Sequence, residues 1–161
     1  MKARILVVAL IVLGFFVVFR KEYAPKENRE KVPAPFSQET QRESTATLSV
    51  GTYRFRVEVA DTDEKRVLGL GGRDTLAGES GMLFAFSRPD FHGIWMKGMR
   101  FSIDILWLDE RFKVVDIKEH VAPETYPQAF HPKVPAYYVL EISAGAVAKN
   151  GIVVGSVFEQ Q

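Results

Sequence analysis

The alternation of apolar and polar residues divides the chain into three parts. An unbroken apolar run fills residues 5–19, and basic residues stand on both sides of it. Residues 21–46 mix charges of both signs with prolines and carry few large apolar side chains. From residue 47 onwards, short apolar stretches alternate with turn-forming residues. This pattern predicts one folded domain at 47–161, preceded by an N-terminal helix and a linker.

The N-terminal run predicts a membrane anchor at residues 1–20. A helix of residues 5–19 spans about 22 Å, and basic side chains at both ends can snorkel to cover the rest of a bilayer core. The exit of this run, FFVVFRKEYA, offers bulky and charged residues where a signal-peptidase site requires small ones. We therefore expect an uncleaved single-pass helix rather than a cleaved signal or a buried globular helix. The free amino terminus favours a cytoplasmic N-terminus, with the domain outside the cytoplasm.

The segment at 21–46 predicts a disordered linker. It contains three prolines and many charged side chains. Its few apolar groups cannot bury enough surface to offset the conformational entropy lost on ordering. We expect this segment to tether the domain to the anchor.

Strands predominate in the predicted domain. In TYRFRVEVA, Tyr53, Phe55 and Val57 alternate with charged residues, which is the two-residue period of a half-buried strand. GMLFAF is too short for a helix and predicts a strand buried on both faces. Further strands are predicted in FKVVDI, YYVLEIS and IVVGSVF. Asp61 and Glu64 resemble a capping box before one short helix, and AGAVAKNG predicts a second.

These elements predict a mainly β fold. Many strands, short helices and no strand–helix–strand alternation favour an antiparallel sandwich or barrel. The stretch at 118–137 contains four prolines, which exclude a long helix or a central strand. Because loops of this length are often binding loops or lids, we expect a surface loop there.

The stretch FSIDILWL places an acidic residue among bulky apolar ones. In an extended strand, Ile103, Ile105 and Trp107 share one face, and Asp104 lies on the other face with Leu106. Burial of an unpaired charge is costly, so this carboxylate must be paired, solvated or functional.

Composition excludes several kinds of chemistry. The formal charge of +1 gives no electrostatic reason to expect a nucleic-acid partner. The chain has no cysteine, which excludes disulfides, thiolate zinc sites and thiol nucleophiles. His92, His120 and His131 lack the close spacing of a metal site. We therefore expect no cofactor and no bound metal.

The candidate site residues are charged and aromatic side chains within apolar stretches. Lys97 beside Trp95, with Arg73 nearby, suits a small anionic or sugar-like ligand. An ion pair between Lys97 and Asp104 that only fixes strand register is the alternative. Asp104 and Glu141 both lie in apolar surroundings, so this carboxylate pair suits a catalytic acid and base.

Five segments in order resemble a known family. EKRVLGL, GMLFAF, WMKGMRFSIDILWLD, YYVLEISAG and GIVVGS are similar to the bacterial and archaeal family known as domain of unknown function 192. The resemblance implies a compact β domain akin to a jelly roll, often exported or membrane-tethered, and no established reaction. The positions that match the family pattern are Arg73, Trp95, Met96, Lys97, Asp104 and Glu141.

Four positions depart from that pattern. Gly71 stands where methionine is usual, Gly98 and Met99 replace asparagine and threonine, and Ser156 replaces a late aspartate. If the family's polar residues line a site, this chain has lost much of that lining.

The sequence therefore favours a membrane-tethered, extracytoplasmic domain that binds a small ligand or an envelope protein. The residues expected to form the site are Arg73, Trp95, Lys97, Asp104 and Glu141. Two alternatives stay open at this point. One is a structural module of the cell envelope, and the other is a hydrolase of envelope polymers that uses Asp104 and Glu141.

Overall fold

The computed structural model describes residues 44–161. The predicted anchor at 1–20 and almost all of the predicted linker at 21–46 lie outside this part of the chain. Within residues 44–161, no helix is both long enough and apolar enough to span a bilayer. The first strand begins at Thr45, so the predicted domain start at residue 47 is two residues late.

Nine strands and two short α-helices make up the described residues. Seven strands form one sheet in the order β6-β5-β8-β3-β2-β1-β9, and β4 and β7 form a separate two-stranded sheet. The prediction of a mainly β fold with short helices is confirmed. In chain order the elements are β1 (Thr45–Val50), β2 (Tyr53–Ala60), α1 (Asp63–Leu68), β3 (Ser80–Asp90), β4 (Ile94–Trp95), β5 (Ile103–Leu108), β6 (Val114–Val121), β7 (Ala129–Phe130), β8 (Ala136–Ser143), α2 (Ala146–Lys149) and β9 (Glu159–Gln160).

The main sheet is mixed, so the predicted antiparallel sandwich or barrel is wrong. β2 and β3 run parallel, with Val57 opposite Gly81, whereas the other paired strands run antiparallel. A parallel pair requires a crossover, and α1 lies in it. One short helix does not produce the repeated alternation by which sequence reasoning detects parallel sheets. Neither sheet within residues 44–161 closes into a barrel.

A capping residue marks each end of the crossover helix α1. The hydroxyl of Thr62 accepts a hydrogen bond from the backbone N–H of Lys65 at 3.3 Å and caps the first turn. The predicted cap, Asp61, instead forms an ion pair with the Lys65 ammonium at 2.8 Å. The helix ends at Gly69, whose φ of 53° suits glycine far better than other residues. The chain therefore turns sharply into the loop that borders the candidate site.

Apolar side chains cover both faces of the central strands. On β5, Ile103, Ile105 and Trp107 pack in one cluster, and Leu106 and Leu108 pack in the other. The predicted alternation along this strand is confirmed. All of β5 is buried because it lies between β8 and β6 and is covered on both faces.

Of two other predicted strands, one is present in the structure and one is not. GMLFAF lies in the first half of β3, which is largely buried as predicted. The predicted strand IVVGSVF is wrong, because residues 152–158 form turns and a single bridge between Val157 and Lys113. Val153 and Val154 in this segment are 61% and 59% exposed. Their apolar side chains predicted burial, but both side chains are exposed in the structure.

The proline-rich stretch at 118–137 has more regular structure than a simple loop. β6 continues into it, a 3₁₀ turn forms at Pro123–Thr125, and β8 begins near its end. Between them, β7 pairs with β4, with Ala129 opposite Trp95. This pairing brings the proline-rich stretch to the candidate site.

Candidate functional site

A pocket opens between α1, the loop that follows it, and strands β3, β4 and β8. Its volume is about 370 Å³, and we refer to it as the α1 pocket. The buried residues Leu70, Phe84 and Glu141 form its floor, and the exposed residues Val67 and Trp95 border its mouth. The remaining lining residues are Asp63, Arg66, Leu68, Gly69, Gly71, Phe86, Gly93, Ile94, Lys97 and Met99.

Two glycine-containing loops meet at one side of the mouth. The backbone N–H of Gly72 donates to the carbonyl of Gly98 at 2.9 Å. A Cβ atom at Gly71 would lie 3.0 Å from the carbonyl oxygen of Leu68 and 3.2 Å from that of Lys97, so the close approach of these loops favours glycine. Gly71 and Gly98 are both departures from the family pattern. The two departures therefore lie against each other.

Glu141 is the most unusual residue of the α1 pocket. It is 5% exposed and sits on β8 between Met82 of β3 and Ile105 of β5. Its carboxyl group forms no hydrogen bond or ion pair with any residue of 44–161. Burial alone raises the pKa of Glu141 to about 8, because the charged form loses water and gains no partner. At neutral pH this carboxyl is mostly protonated.

The Glu141 carboxyl keeps access to the α1 pocket. In the described part of the chain, every side-chain nitrogen or oxygen that is sealed from solvent has a hydrogen-bond partner. Glu141 has none there, so its oxygens are not sealed, and the residue lines the pocket. A molecule in the pocket can therefore hydrogen-bond to this carboxyl.

Lys97 and Trp95 stand together at the mouth. The Lys97 ammonium lies 5.5 Å from the centre of the Trp95 ring, within the range of a cation–π contact. Lys97 forms no ion pair with a carboxylate of the described residues. The Trp95 ring also packs 5.9 Å from the ring of Tyr126, which belongs to the proline-rich stretch. The mouth thus carries one cation that is available to a ligand.

Arg66, the other cation of the pocket, is already engaged. Its guanidinium donates to the carbonyl of Ala85 at 2.7 Å and to the carboxylate of Asp63 at 2.7 Å. It also lies 5.3 Å from the centre of the Phe86 ring. Arg66 and Asp63 therefore neutralise each other, and Glu141 and Lys97 are the two ionisable groups of the lining that have no ionic partner among residues 44–161.

Asp104 does not belong to the pocket. It is fully buried, and its carboxylate accepts the backbone N–H groups of His120 at 2.9 Å and of Val147 at 3.0 Å. These bonds fasten the end of β6 and the start of α2 to β5. The alternative of an ion pair with Lys97 is therefore wrong. His120 has a φ of 52°, so Asp104 also holds an unusual backbone conformation.

Asp104 and Glu141 face opposite sides of the main sheet. In the pairing of β5 with β8, Asp104 lies opposite Ile142, and Glu141 lies opposite Ile105. Successive side chains of a strand point to opposite faces, so the two carboxyl groups share no cavity. The structure does not bring together the pair that a hydrolase would require.

Arg73 is likewise outside the α1 pocket. Its guanidinium makes two hydrogen bonds to the carboxylate of Glu58 on β2, at 2.5 and 2.6 Å. Arg73 holds the pKa of Glu58 below its ordinary value. This pair ties the loop after α1 to β2. Of the five predicted site residues, only Trp95, Lys97 and Glu141 line the pocket.

Sequence reasoning missed the apolar wall of the pocket. Leu70, Phe84, Phe86 and Ile94 line it, but their sequence pattern is that of ordinary core residues. Alternation along GMLFAF places Phe84 and Phe86 on one face, and no sequence signal shows that this face borders a cavity. Within residues 44–161, no cluster of three or more histidine, aspartate or glutamate residues is arranged to hold a metal.

Comparisons with known proteins place the domain in a family. Two crystal structures resemble this chain: a protein from Sinorhizobium meliloti 1021 named a "putative transcription regulator" (27% identity, TM-score 0.70, covering 73% of this chain and 95% of that one), and a protein of unknown function from Novosphingobium aromaticivorans DSM 12444 (30% identity, TM-score 0.66, covering 73% and 84%). No curated protein matches the chain. The model of the family described as an uncharacterized ACR, domain of unknown function 192, matches residues 46–160. The chain therefore belongs to the domain of unknown function 192 family, as its five sequence segments predicted.

Proposed function

We propose that this protein is a membrane-tethered binding domain whose α1 pocket holds a small ligand. In this proposal residues 1–20 anchor the chain, residues 21–46 are the tether, and the domain lies outside the cytoplasm. The basic flanks of the apolar run support the anchor. The observation that carries the binding role is the Glu141 carboxyl, which is buried at the floor of a pocket without a partner among the described residues.

An unpaired buried carboxyl group is costly to the fold. A buried polar group without a hydrogen bond destabilises a protein by about 1–3 kcal/mol, and native structures contain few of them. Such costs are concentrated at functional sites, where the same group contributes to binding or catalysis. A ligand that donates a hydrogen bond to Glu141 would recover this loss. The pocket is therefore better suited to a ligand than to a purely structural role.

The size and lining of the pocket limit the ligand. At roughly 30 Å³ per water molecule, a volume of about 370 Å³ has room for about a dozen non-hydrogen atoms. Leu70, Phe84 and Ile94 favour an apolar or flat central part. Lys97 at the mouth favours an anionic or carbonyl group at the outer end. These features fit a small molecule with an apolar or flat centre and an anionic or carbonyl group at one end.

A second candidate is an envelope protein that covers the mouth. Val67 and Leu68 on α1 are 77% and 68% exposed. An adjoining concavity of about 720 Å³ shares these two residues and Lys97 with the α1 pocket. Large apolar side chains beside a pocket are typical of protein contacts. In this case a side chain of the partner would enter the pocket.

Blocking the mouth tests the binding role. Val67→Trp should narrow the α1 pocket with little effect on folding, because Val67 is largely exposed. Val153→Trp is the matched control, since Val153 is also exposed and does not line the pocket. Full-length protein would be screened by ligand-detected NMR against sugars, carboxylic acids, amino acids and short peptides.

We expect at least one of these classes to bind the wild type and the Val153→Trp variant, and to lose affinity at least tenfold in Val67→Trp. Binding that survives Val67→Trp would locate the ligand elsewhere. No binding by any class would contradict the small-ligand role and leave the protein-partner candidate, which pull-down with Val67→Trp as the negative control would examine.

A further inference from the structure

We propose that the ligand is an amino-acid-like zwitterion, with its ammonium group at Glu141 on the floor of the α1 pocket and its carboxylate at Lys97 at the mouth. This inference rests on the proposed binding role and specifies the chemistry of the ligand. It follows from the order of the unpaired groups along the pocket, acidic inside and basic outside.

The inner end of the pocket offers hydrogen-bond acceptors. Glu141 supplies a carboxyl group that has no partner among residues 44–161. An ammonium group has three donors and no acceptor. It is therefore complementary to this end of the pocket.

The remaining inner surface favours a single cation over a neutral polyol. Leu70, Phe84 and Ile94 offer no side-chain hydrogen bond to the several hydroxyl groups of a sugar, and hydroxyl groups left unpaired lower affinity. An aromatic ring such as that of Phe84 tolerates or attracts a cation. No basic side chain of the described residues is paired with Glu141, so a ligand ammonium group can be the cation that stabilises its ionised form.

The outer end of the α1 pocket carries a basic group instead of an acidic one. Lys97 is exposed, has no carboxylate partner in the described part of the chain, and is held over the Trp95 ring. The other two charged groups of the lining, Asp63 and Arg66, satisfy each other at 2.7 Å. Lys97 is therefore the group that can receive a ligand carboxylate. A bound zwitterion would pair both unpaired groups at once.

Binding of an ammonium group should release a proton from Glu141. Burial raises the pKa of this carboxyl to about 8, so about nine-tenths of the empty protein carries the proton at pH 7. The charged groups that line the pocket around it are Asp63 and Arg66 on α1 and Lys97 after β4. Phe84 and Phe86 of β3 do not titrate. A cation beside the carboxyl stabilises its ionised form.

A matched set of small molecules tests the proposal on the full-length protein. The probes are L-phenylalanine, N-acetyl-L-phenylalanine, phenethylamine, phenylpropanoate and glucose, measured by isothermal titration calorimetry at pH 7 in two buffers of different ionisation enthalpy. We expect L-phenylalanine to bind at least tenfold more tightly than each of the others. We also expect its binding to release close to one proton.

Two variants and one control show which end of the ligand binds at Glu141 and which binds at Lys97. Glu141→Gln should remove both the proton release and the preference for the free amine over the N-acetyl derivative. Lys97→Met should remove the preference for L-phenylalanine over phenethylamine. Lys118→Met is the matched control, because the Lys118 ammonium lies 5.6 Å from the Phe130 ring and outside the pocket. It should keep both preferences, and a melting temperature for each variant will report folding.

The outcomes separate this inference from the proposed function. If N-acetyl-L-phenylalanine or glucose binds as tightly as L-phenylalanine, and Val67→Trp weakens that binding, the binding role stands and the zwitterion proposal is wrong. The same conclusion holds if Glu141→Gln leaves the amine preference unchanged. If no probe or screened compound binds the wild type, both the small-ligand role and this inference fail.

Discussion

Replacement of Glu141 by glutamine should stabilise the folded protein by an amount that grows with pH. Burial raises the pKa of Glu141 from its ordinary 4.5 to about 8. Between these values the folded protein keeps a proton on Glu141 that the unfolded chain has already released. The free energy of unfolding of the wild type therefore falls as pH rises through this interval.

The expected magnitude follows from the two pKa values. Each pH unit changes the free energy of unfolding by ~1.4 kcal/mol. The wild type should therefore lose about 3 kcal/mol by pH 7 and about 5 kcal/mol above pH 8. Glutamine has the shape of the protonated side chain and cannot ionise. Glu141→Gln should thus lie within about 1 kcal/mol of the wild type at pH 5 and exceed it increasingly above that pH.

Urea unfolding of the full-length protein in detergent, followed by tryptophan fluorescence, measures this difference at pH 5, 6, 7 and 8. Glu159→Gln is the control, because Glu159 is exposed on β9 and should show no such trend. A difference between Glu141→Gln and the wild type that is the same at pH 5 and pH 8 would refute the reasoning. It would mean that Glu141 ionises equally in the folded and unfolded states.

Three further predictions concern the fold and the topology. Asp104→Asn should lower the free energy of unfolding by about 2–4 kcal/mol. Asp109 accepts two N–H groups in an exposed turn, so the control variant Asp109→Asn should lower it by less than about 1 kcal/mol. Equal losses of the two variants in urea unfolding would contradict this prediction. Arg73→Ala should cost about 1 kcal/mol at pH 7, and the loss should shrink in acid as the depressed pKa of Glu58 is passed. External protease should digest the domain in spheroplasts, and its protection there would contradict the proposed topology.

Local patterns in the sequence were sufficient for most of the elements and for the family. The alternation along β5 gave the correct two faces, because side-chain direction in a strand depends only on position parity. Capping residues and glycines correctly located α1 to within a residue. Apolar character alone was misleading at Val153, Val154 and Val157, which are exposed. Local hydrophobicity reports burial only where a second layer covers the segment.

Three of the five residues that the sequence singled out, Trp95, Lys97 and Glu141, line the pocket. Lys97 and Glu141 were selected because ionisable groups in apolar stretches are costly unless they are paired or used, and Trp95 was selected because its indole ring lies beside Lys97 in the sequence. The same criterion selected Asp104 and Arg73, which turned out to be paired with backbone N–H groups and with Glu58. The energetic cost of burial identifies such residues, but it does not show whether a given ionisable group has a partner in the fold.

Only the tertiary structure decided which of these charges remain unpaired. Asp104 and Glu141 lie on neighbouring strands, yet the register of β5 with β8 turns them to opposite faces. The parallel pairing of β2 with β3 places α1 where it forms one wall of the pocket. Strand order and register are set by contacts between residues far apart in the chain. Periodicity within a segment carries no information about them, so the sequence determined the elements and the tertiary fold determined the site.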